Sequence, residues 1–228
     1  MSTELPDMIE LETGPEPQHC VIWLHGLGAD GNDFVPLVPE LKLPAQLPLR
    51  FLFPHAPVRP ITVNGGMAMR GWYDIVSLEL DRAGQDPQGV RDSVAAVLRI
   101  IERENARGIA TENILLAGFS QGGAIALTAA MTEDLPLAGV VGLSTYIPLS
   151  DSRDFTQSRH ELPIFLAHGT QDDIVLPAYA TATRELLLSA GFKPSWQTYP
   201  MGHALCAEEI AALSAWMQSL AAFSAASD

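Results

Sequence analysis

Six short β-rich runs separated by helical periodicities constrain this chain more than any other feature. Residues 20–26 (CVIWLHG), 49–54 (LRFLFP), 113–119 (NILLAGF), 137–144 (LAGVVGLS), 162–169 (LPIFLAHG) and 195–200 (SWQTYP) read as strands. Most are apolar at consecutive positions, so both faces of the strand must be covered. Between them, 87–105 places Val90, Val94, Val97, Leu98 and Ile101 on one helical face. Residues 177–189 open on a proline and close before Gly191, and 208–220 puts Ile210, Leu213, Met217 and Leu220 on one side. Strands buried on both faces and alternating with helices predict an α/β fold, a doubly wound, mostly parallel sheet with helices on both faces. Such sheets bind ligands beyond the carboxyl ends of their strands, so strand exits are where chemistry is expected.

The 228 residues suit a single domain over 1–228, with no repeat or linker that divides it. The stretch 59–86 is the least regular and reads as a covering loop. Residues 223–228 read as a frayed tail. Residues 114–131 carry no charge and are nearly long enough to cross a bilayer. Gly118, Ser120, Gln121, Gly122 and Gly123 interrupt them, and no basic flank or paired aromatic anchors frame them. The better reading is a strand, a turn and a helix, with no transmembrane segment.

Lys plus Arg number 13 against 27 Asp plus Glu, a formal charge of −14. That surface repels phosphate backbones, which argues against nucleic acid as a partner. Cys20 and Cys206 form no metal-binding spacing, so neither a metal nor another cofactor is expected. Both read as small hydrophobes in a reducing compartment, hence cytoplasmic. The acidic start, MSTELPDMIELETGPEP, lacks the basic and apolar regions of a secretory signal.

Gly118-Phe119-Ser120-Gln121-Gly122 is G-x-S-x-G between a strand and a helix, the setting in which it marks a nucleophile elbow. A strand turning sharply into a helix has no room for side chains at the two glycines, and the serine at the apex is held out from both elements. Chance supplies roughly 0.1 such pentapeptides in a chain of this length, so the pattern needs partners. A serine nucleophile needs a base, and the base an orienting acid, here in the order Ser, acid, His. Of the histidines after Ser120, His160 precedes a strand and His168 has no exit acid before it. His203 follows the last strand, and the exit HGTQDDIVLP supplies Asp172 and Asp173. An oxyanion needs two N–H donors: Gln121, after the nucleophile, and a residue of HGLGADGNDF after the first buried strand, with Leu27 the natural candidate. That loop lacks the phosphate-binding glycine patterns.

LHGLGADG, FPHAP, RGWYDI, LAGFSQGG, LSTYIP, HGTQDDIVLP and YPMGH occur in that order. Together they resemble the phospholipase/carboxylesterase family of α/β-hydrolases, which includes bacterial carboxylesterases and acyl-protein thioesterases. The resemblance implies the α/β-hydrolase fold, Ser120 as nucleophile, His203 as base and Asp172 as acid, with Leu27 and Gln121 as the oxyanion hole. It also implies an acyl pocket formed with Trp72, Ile75 and Leu176, and a homodimer. The expected activity is serine carboxylesterase action on short- to medium-chain esters, extending to thioesters or lysophospholipids. The competing readings are a non-catalytic binding protein on the same fold, and a cysteine enzyme, for which neither cysteine sits at an elbow.

Overall fold

The computed structural model describes residues 5–77, 86–148 and 152–224. In chain order the strands are β1 (Met8–Glu12), β2 (His19–Leu24), β3 (Leu49–Pro54), β4 (Val58–Ile61), β5 (Met67–Arg70), β6 (Ile114–Phe119), β7 (Gly139–Leu143), β8 (Ile164–Gly169) and β9 (Ser195–Tyr199). The helices are α1 (Leu37–Glu40), α2 (Pro87–Ala106), α3 (Gln121–Thr132), α4 (Pro177–Ser189), α5 (Ala207–Ser219) and α6 (Ala221–Ser224). Seven strands form one sheet in the order β1-β3-β2-β6-β7-β8-β9, and only the β1–β3 pairing is antiparallel. The expected doubly wound parallel sheet is present, and each of the six expected strands overlaps an observed one.

Strand alternation divides the core into two layers. On β2, Cys20, Ile22 and Leu24 join one layer with Val94, Val97 and Ile101 of α2 and Ile125 and Ala129 of α3. Val21 and Trp23 point the other way, into a layer with Leu37 of α1 and Leu213 and Met217 of α5. Helix α3 is buried on all sides from Gln121 to Met131. The uncharged run is thus a central strand followed by a central helix. Among the described residues no helix is long and apolar enough to cross a membrane.

Two elements depart from the sequence reading. β1 was not foreseen: MIELE alternates apolar and acidic residues at a half-exposed edge. Its charges find arginines on β3 and α2. Arg50 donates to Glu12 (2.9 Å) and to the fully buried Glu104 (2.7 Å), and Arg103 and Arg107 each donate to Glu104 at 3.0 Å. Arg107 and Arg103 also bond Glu10, and chiefly the Arg107 hydrogen bond draws the Glu10 carboxyl down to about 2. The stretch 59–86 also contains more order than a covering loop implies. β4 and β5 pair antiparallel within it, joined through Gly65 and Gly66. Residues 78–85 of it lie outside the described residues. At the other end, Phe223 is buried in the second layer and α6 runs to residue 224. The tail expected from 223 therefore starts no earlier than 225, beyond the described residues.

Glu104 holds three guanidinium groups from two elements, so its removal strands Arg50 with little water to replace it. Glu104→Ala should cost about 3–5 kcal/mol in urea unfolding, whereas Arg107→Ala at the wetter rim should cost about 1 kcal/mol or less. Equal costs would contradict this picture of the cluster.

Candidate active site

The elbow is built by close backbone approach. A Cβ at Gly118 would run into the Gly122 backbone, and one at Gly122 into the Leu24 and His25 carbonyl oxygens. The start of α3 therefore rests directly on the exit of β2. Ser120, between them, has φ 53° and ψ −123°, a left-handed conformation that a side chain adopts only under strain, about 1–3 kcal/mol. It is held by Ser120 N–H to Leu143 O (2.9 Å) and by the Thr145 hydroxyl donating to Ser120 O (2.6 Å). Gln121 occupies the first helical position, where the N–H has no partner within the helix.

The loop after β2 comes alongside. Had Gly26 a Cβ, it would lie 3.5 Å from the Ser120 Cβ, so the two turns touch. His25 anchors this loop from below. Its Nε2 accepts from Ala56 N–H (3.0 Å), which leaves Nδ1 to donate to Gly26 O (2.7 Å). Burial keeps the ring neutral by lowering its pKa, as that bonding requires. Leu27 N–H makes no hydrogen bond among the described residues.

The stretch after β5 is tied to Gln121 and to His25 at the β2 exit. Trp72 N–H donates to Gln121 Oε1 and Gln121 Nε2 donates to Tyr73 O, both at 2.8 Å. The Trp72 indole N–H donates to His25 O at 2.8 Å. Trp72 is 1% exposed, so its chief contacts are with the protein itself. Of the other two residues expected in an acyl pocket, Ile75 packs half-buried against the first layer. Leu176 is 48% exposed just before α4.

Asp172 and His203 meet at the exits of β8 and β9. A Cβ at Gly169 would collide with the Met201 and Gly202 carbonyl oxygens, so this glycine lets the 201–203 loop lie against the end of β8. Asp172, 2% exposed, uses Oδ1 to accept from Ile174 N–H (3.0 Å) and Val175 N–H (2.9 Å). Its Oδ2 accepts from His203 Nδ1 at 2.7 Å. Asp173 is exposed and makes no such bond, so of the DD pair it is Asp172 that lies against His203. The Phe119 ring lies 4.7 Å from the His203 ring, bringing the base beside the serine's own neighbour. Among the described residues no hydrogen bond joins Ser120 Oγ to His203, a contact that often tightens only when substrate binds.

Sequence reasoning missed several supports. His168, set aside as a base, lies 3.4 Å from Asp172 while its Nε2 donates to Val175 O (2.8 Å). Burial lowers its pKa and keeps it neutral, so it braces the turn that carries Asp172. The Gln121 amide was the one such residue with a visible signal, a polar side chain in an otherwise apolar run. Among the described residues no group of three or more His, Cys, Asp or Glu side chains is placed to hold a metal.

The phospholipase/carboxylesterase family pattern matches residues 8–221. An acyl-protein thioesterase 1 from Neurospora crassa is 39% identical over 203 residues, covering 85% of this chain and 83% of that protein. The carboxylesterase SOBER1 of Arabidopsis thaliana is 33% identical over 202 residues, covering 87% and 89% respectively. The crystal structure of Zea mays acyl-protein thioesterase 2 superposes with a TM-score of 0.81 at 27% identity, covering 94% of this chain and 98% of that one.

Helix α5, which follows the His203 loop, carries a buried carboxyl in its first turn. Glu209 is fully buried, and burial pushes its pKa up from 4.5 to about 7, offset in part by the Cys206 N–H. The folded state therefore holds a proton that the unfolded chain releases near pH 4.5. This contribution is complete below pH 4.5, declines as pH rises to about 7 and is spent above it, roughly 3 kcal/mol in all. Unfolding measured from pH 4.5 to 8 should show that decline in the wild type and lack it in Glu209→Gln. Parallel profiles would contradict it.

Proposed function

The chain belongs to the phospholipase/carboxylesterase family, and from that premise we propose that Ser120, His203 and Asp172 form its catalytic triad. The protein is a hydrolase of the ester and thioester class, and an inert binding role finds no support. One observation carries the assignment: Asp172, fixed by two backbone N–H groups, accepts from His203 Nδ1 beside an elbow that strains Ser120 outward.

That bond sets the chemistry. With Nδ1–H committed to Asp172, His203 Nε2 is left as the lone-pair nitrogen, the tautomer a base requires. Nε2 takes the Ser120 proton as Oγ attacks the acyl carbonyl carbon, and the carbonyl electron pair moves onto oxygen. The Leu27 and Gln121 N–H groups hold that oxyanion, at about 2.7–3.1 Å in a working hole. Collapse of the adduct expels the alcohol or thiol, which takes the proton from Nε2, leaving an acyl ester on Ser120. Water repeats the sequence and releases the carboxylate, with Asp172 stabilising the imidazolium each time. No cofactor enters these steps.

Short- to medium-chain carboxylic esters are the proposed substrates. Thioesters are the second class, because two of the relatives above are named acyl-protein thioesterases and the same acyl-enzyme serves both leaving groups. The residues proposed for the acyl pocket are Trp72, Ile75 and Leu176, of which Leu176 is the most exposed, with Ile174 exposed beside it in sequence. The reading treats 1–228 as one domain, because the site draws on exits of β2, β6, β8 and β9 in a single sheet. A cytoplasmic location fits Cys20 and Cys206, which are both free thiols. A homodimer remains the assembly expected of the family.

A fluorophosphonate should label Ser120 alone, and Ser120→Ala should abolish hydrolysis of p-nitrophenyl butyrate. Labelling elsewhere with activity retained would refute the mechanism. Asp172→Asn should lower kcat by about 10⁴-fold, as loss of the orienting acid does in other triads, while Asp173→Asn should stay within about threefold of wild type. The opposite ranking would move the acid to Asp173.

A further inference from the structure

A cleft of about 390 Å³ lies off the proposed triad, between the residues that follow β3, the β4–β5 hairpin and α2. Neither Ser120 nor His203 lines it. Arg59, Arg70, Arg99 and His55 do, together with the carboxylates Asp7 and Asp92 and the apolar Ala96. Three guanidinium groups at one cleft stand out in a chain with 13 basic and 27 acidic residues.

The cations there are incompletely satisfied. Arg99 has no ion pair or hydrogen bond among the described residues, and its Nε is shielded from solvent without a partner. Arg59 Nε is shielded and unbonded in the same way, and its Nη1 reaches Asp86 only at 3.7 Å. Arg70 spends one nitrogen on Ala56 O. Of the two lining carboxylates, Asp92 accepts from Gln88 Nε2 at 2.9 Å, and Asp7 is exposed and makes no ion pair with these arginines among the described residues. Buried donors of this kind call for an acceptor, and a guanidinium's parallel N–H groups match the two oxygens of a carboxylate. Ala95 and Ala96, half-buried on α2, and Pro57 offer apolar surface to whatever the anion is attached to, with the buried Trp72 behind them.

We propose that this cleft binds an apolar-tailed monocarboxylate, the chemical class that the enzyme's own hydrolysis releases. The identification with product rests on the esterase reading above; the binding chemistry does not. Trp72 forms one wall of the cleft while its indole N–H holds His25 O and its backbone N–H holds Gln121. A bound carboxylate therefore lies against the residue that bonds Gln121 and His25, which makes product feedback the natural consequence.

The test is calorimetric titration of octanoate into the full chain whose Ser120 has been blocked with a fluorophosphonate. Octanoate should still bind, and Arg99→Gln should weaken it at least about tenfold while leaving kcat/KM for p-nitrophenyl butyrate within about twofold. Octan-1-ol, with the same tail and no charge, should bind at least about tenfold more weakly than octanoate. Loss of octanoate binding on blocking Ser120, equal affinity of the Arg99→Gln chain, or equal affinity for octan-1-ol would each overturn the proposal. A chain that takes no fluorophosphonate at Ser120 fails the triad assignment instead. The Arg99→Gln and octan-1-ol comparisons then decide the cleft on the unblocked protein.

Discussion

The contact of the Gly122 backbone with the Leu24 and His25 carbonyl oxygens is the constraint on which the rest of the site depends. It puts the first turn of α3 against the end of β2, with no side chain between. Ser120 is then held at positive φ, Gln121 starts the helix, and the loop after β2 comes alongside at Gly26. From there the arrangement extends outward by polar contacts. The Gln121 amide binds the backbone of Trp72 and Tyr73, and the Trp72 indole binds His25, whose own ring is fixed by Ala56 and Gly26. These bonds are buried, so each unmade one would cost about 1–3 kcal/mol, enough to keep the two turns in register.

Asp172 and His203 are placed by a separate device of the same kind. Gly169 admits the Met201 and Gly202 backbone against β8, so the His203 loop and the Asp172 turn leave neighbouring parallel strands at one level. Asp172 is oriented by the N–H groups of its own turn and flanked by a neutral His168. The two halves meet at Phe119, which precedes the serine and packs on the base. The sheet keeps these exits in place, which is why residues from 25 to 203 can converge.

Much of this was legible because its causes are local. The apolar runs reveal central strands, since β2, β6, β7 and β8 are buried at nearly every position. The elbow is legible because its glycines and serine are contiguous. β1 was missed because MIELE looks like part of an acidic terminus until Arg50, Arg103 and Arg107 are known to lie beside it. The β4–β5 hairpin was missed because Pro60 and the Gly65-Gly66 pair read as loop, and its pairing is closed by register instead of by an apolar stripe. The supporting roles of His25, His168 and Trp72 depend on partners brought near by the fold, and no spacing rule announces them. Asp172 could be separated from Asp173 only once one carboxylate was seen buried against His203 and the other exposed.

The central claim is that one tetrahedral centre on Ser120 is served at once by the β2 exit, the α3 start and His203. A crystal structure of the protein with an alkylboronic acid tests it most directly, because the boronate imitates the adduct. The account requires boron bonded to Ser120 Oγ, one boronate oxygen within about 3 Å of both the Leu27 and Gln121 nitrogens, and His203 Nε2 within hydrogen-bonding reach of the adduct. A boronate bonded to another residue, or bonded to Ser120 with its oxygens turned away from Leu27 and Gln121, would contradict it.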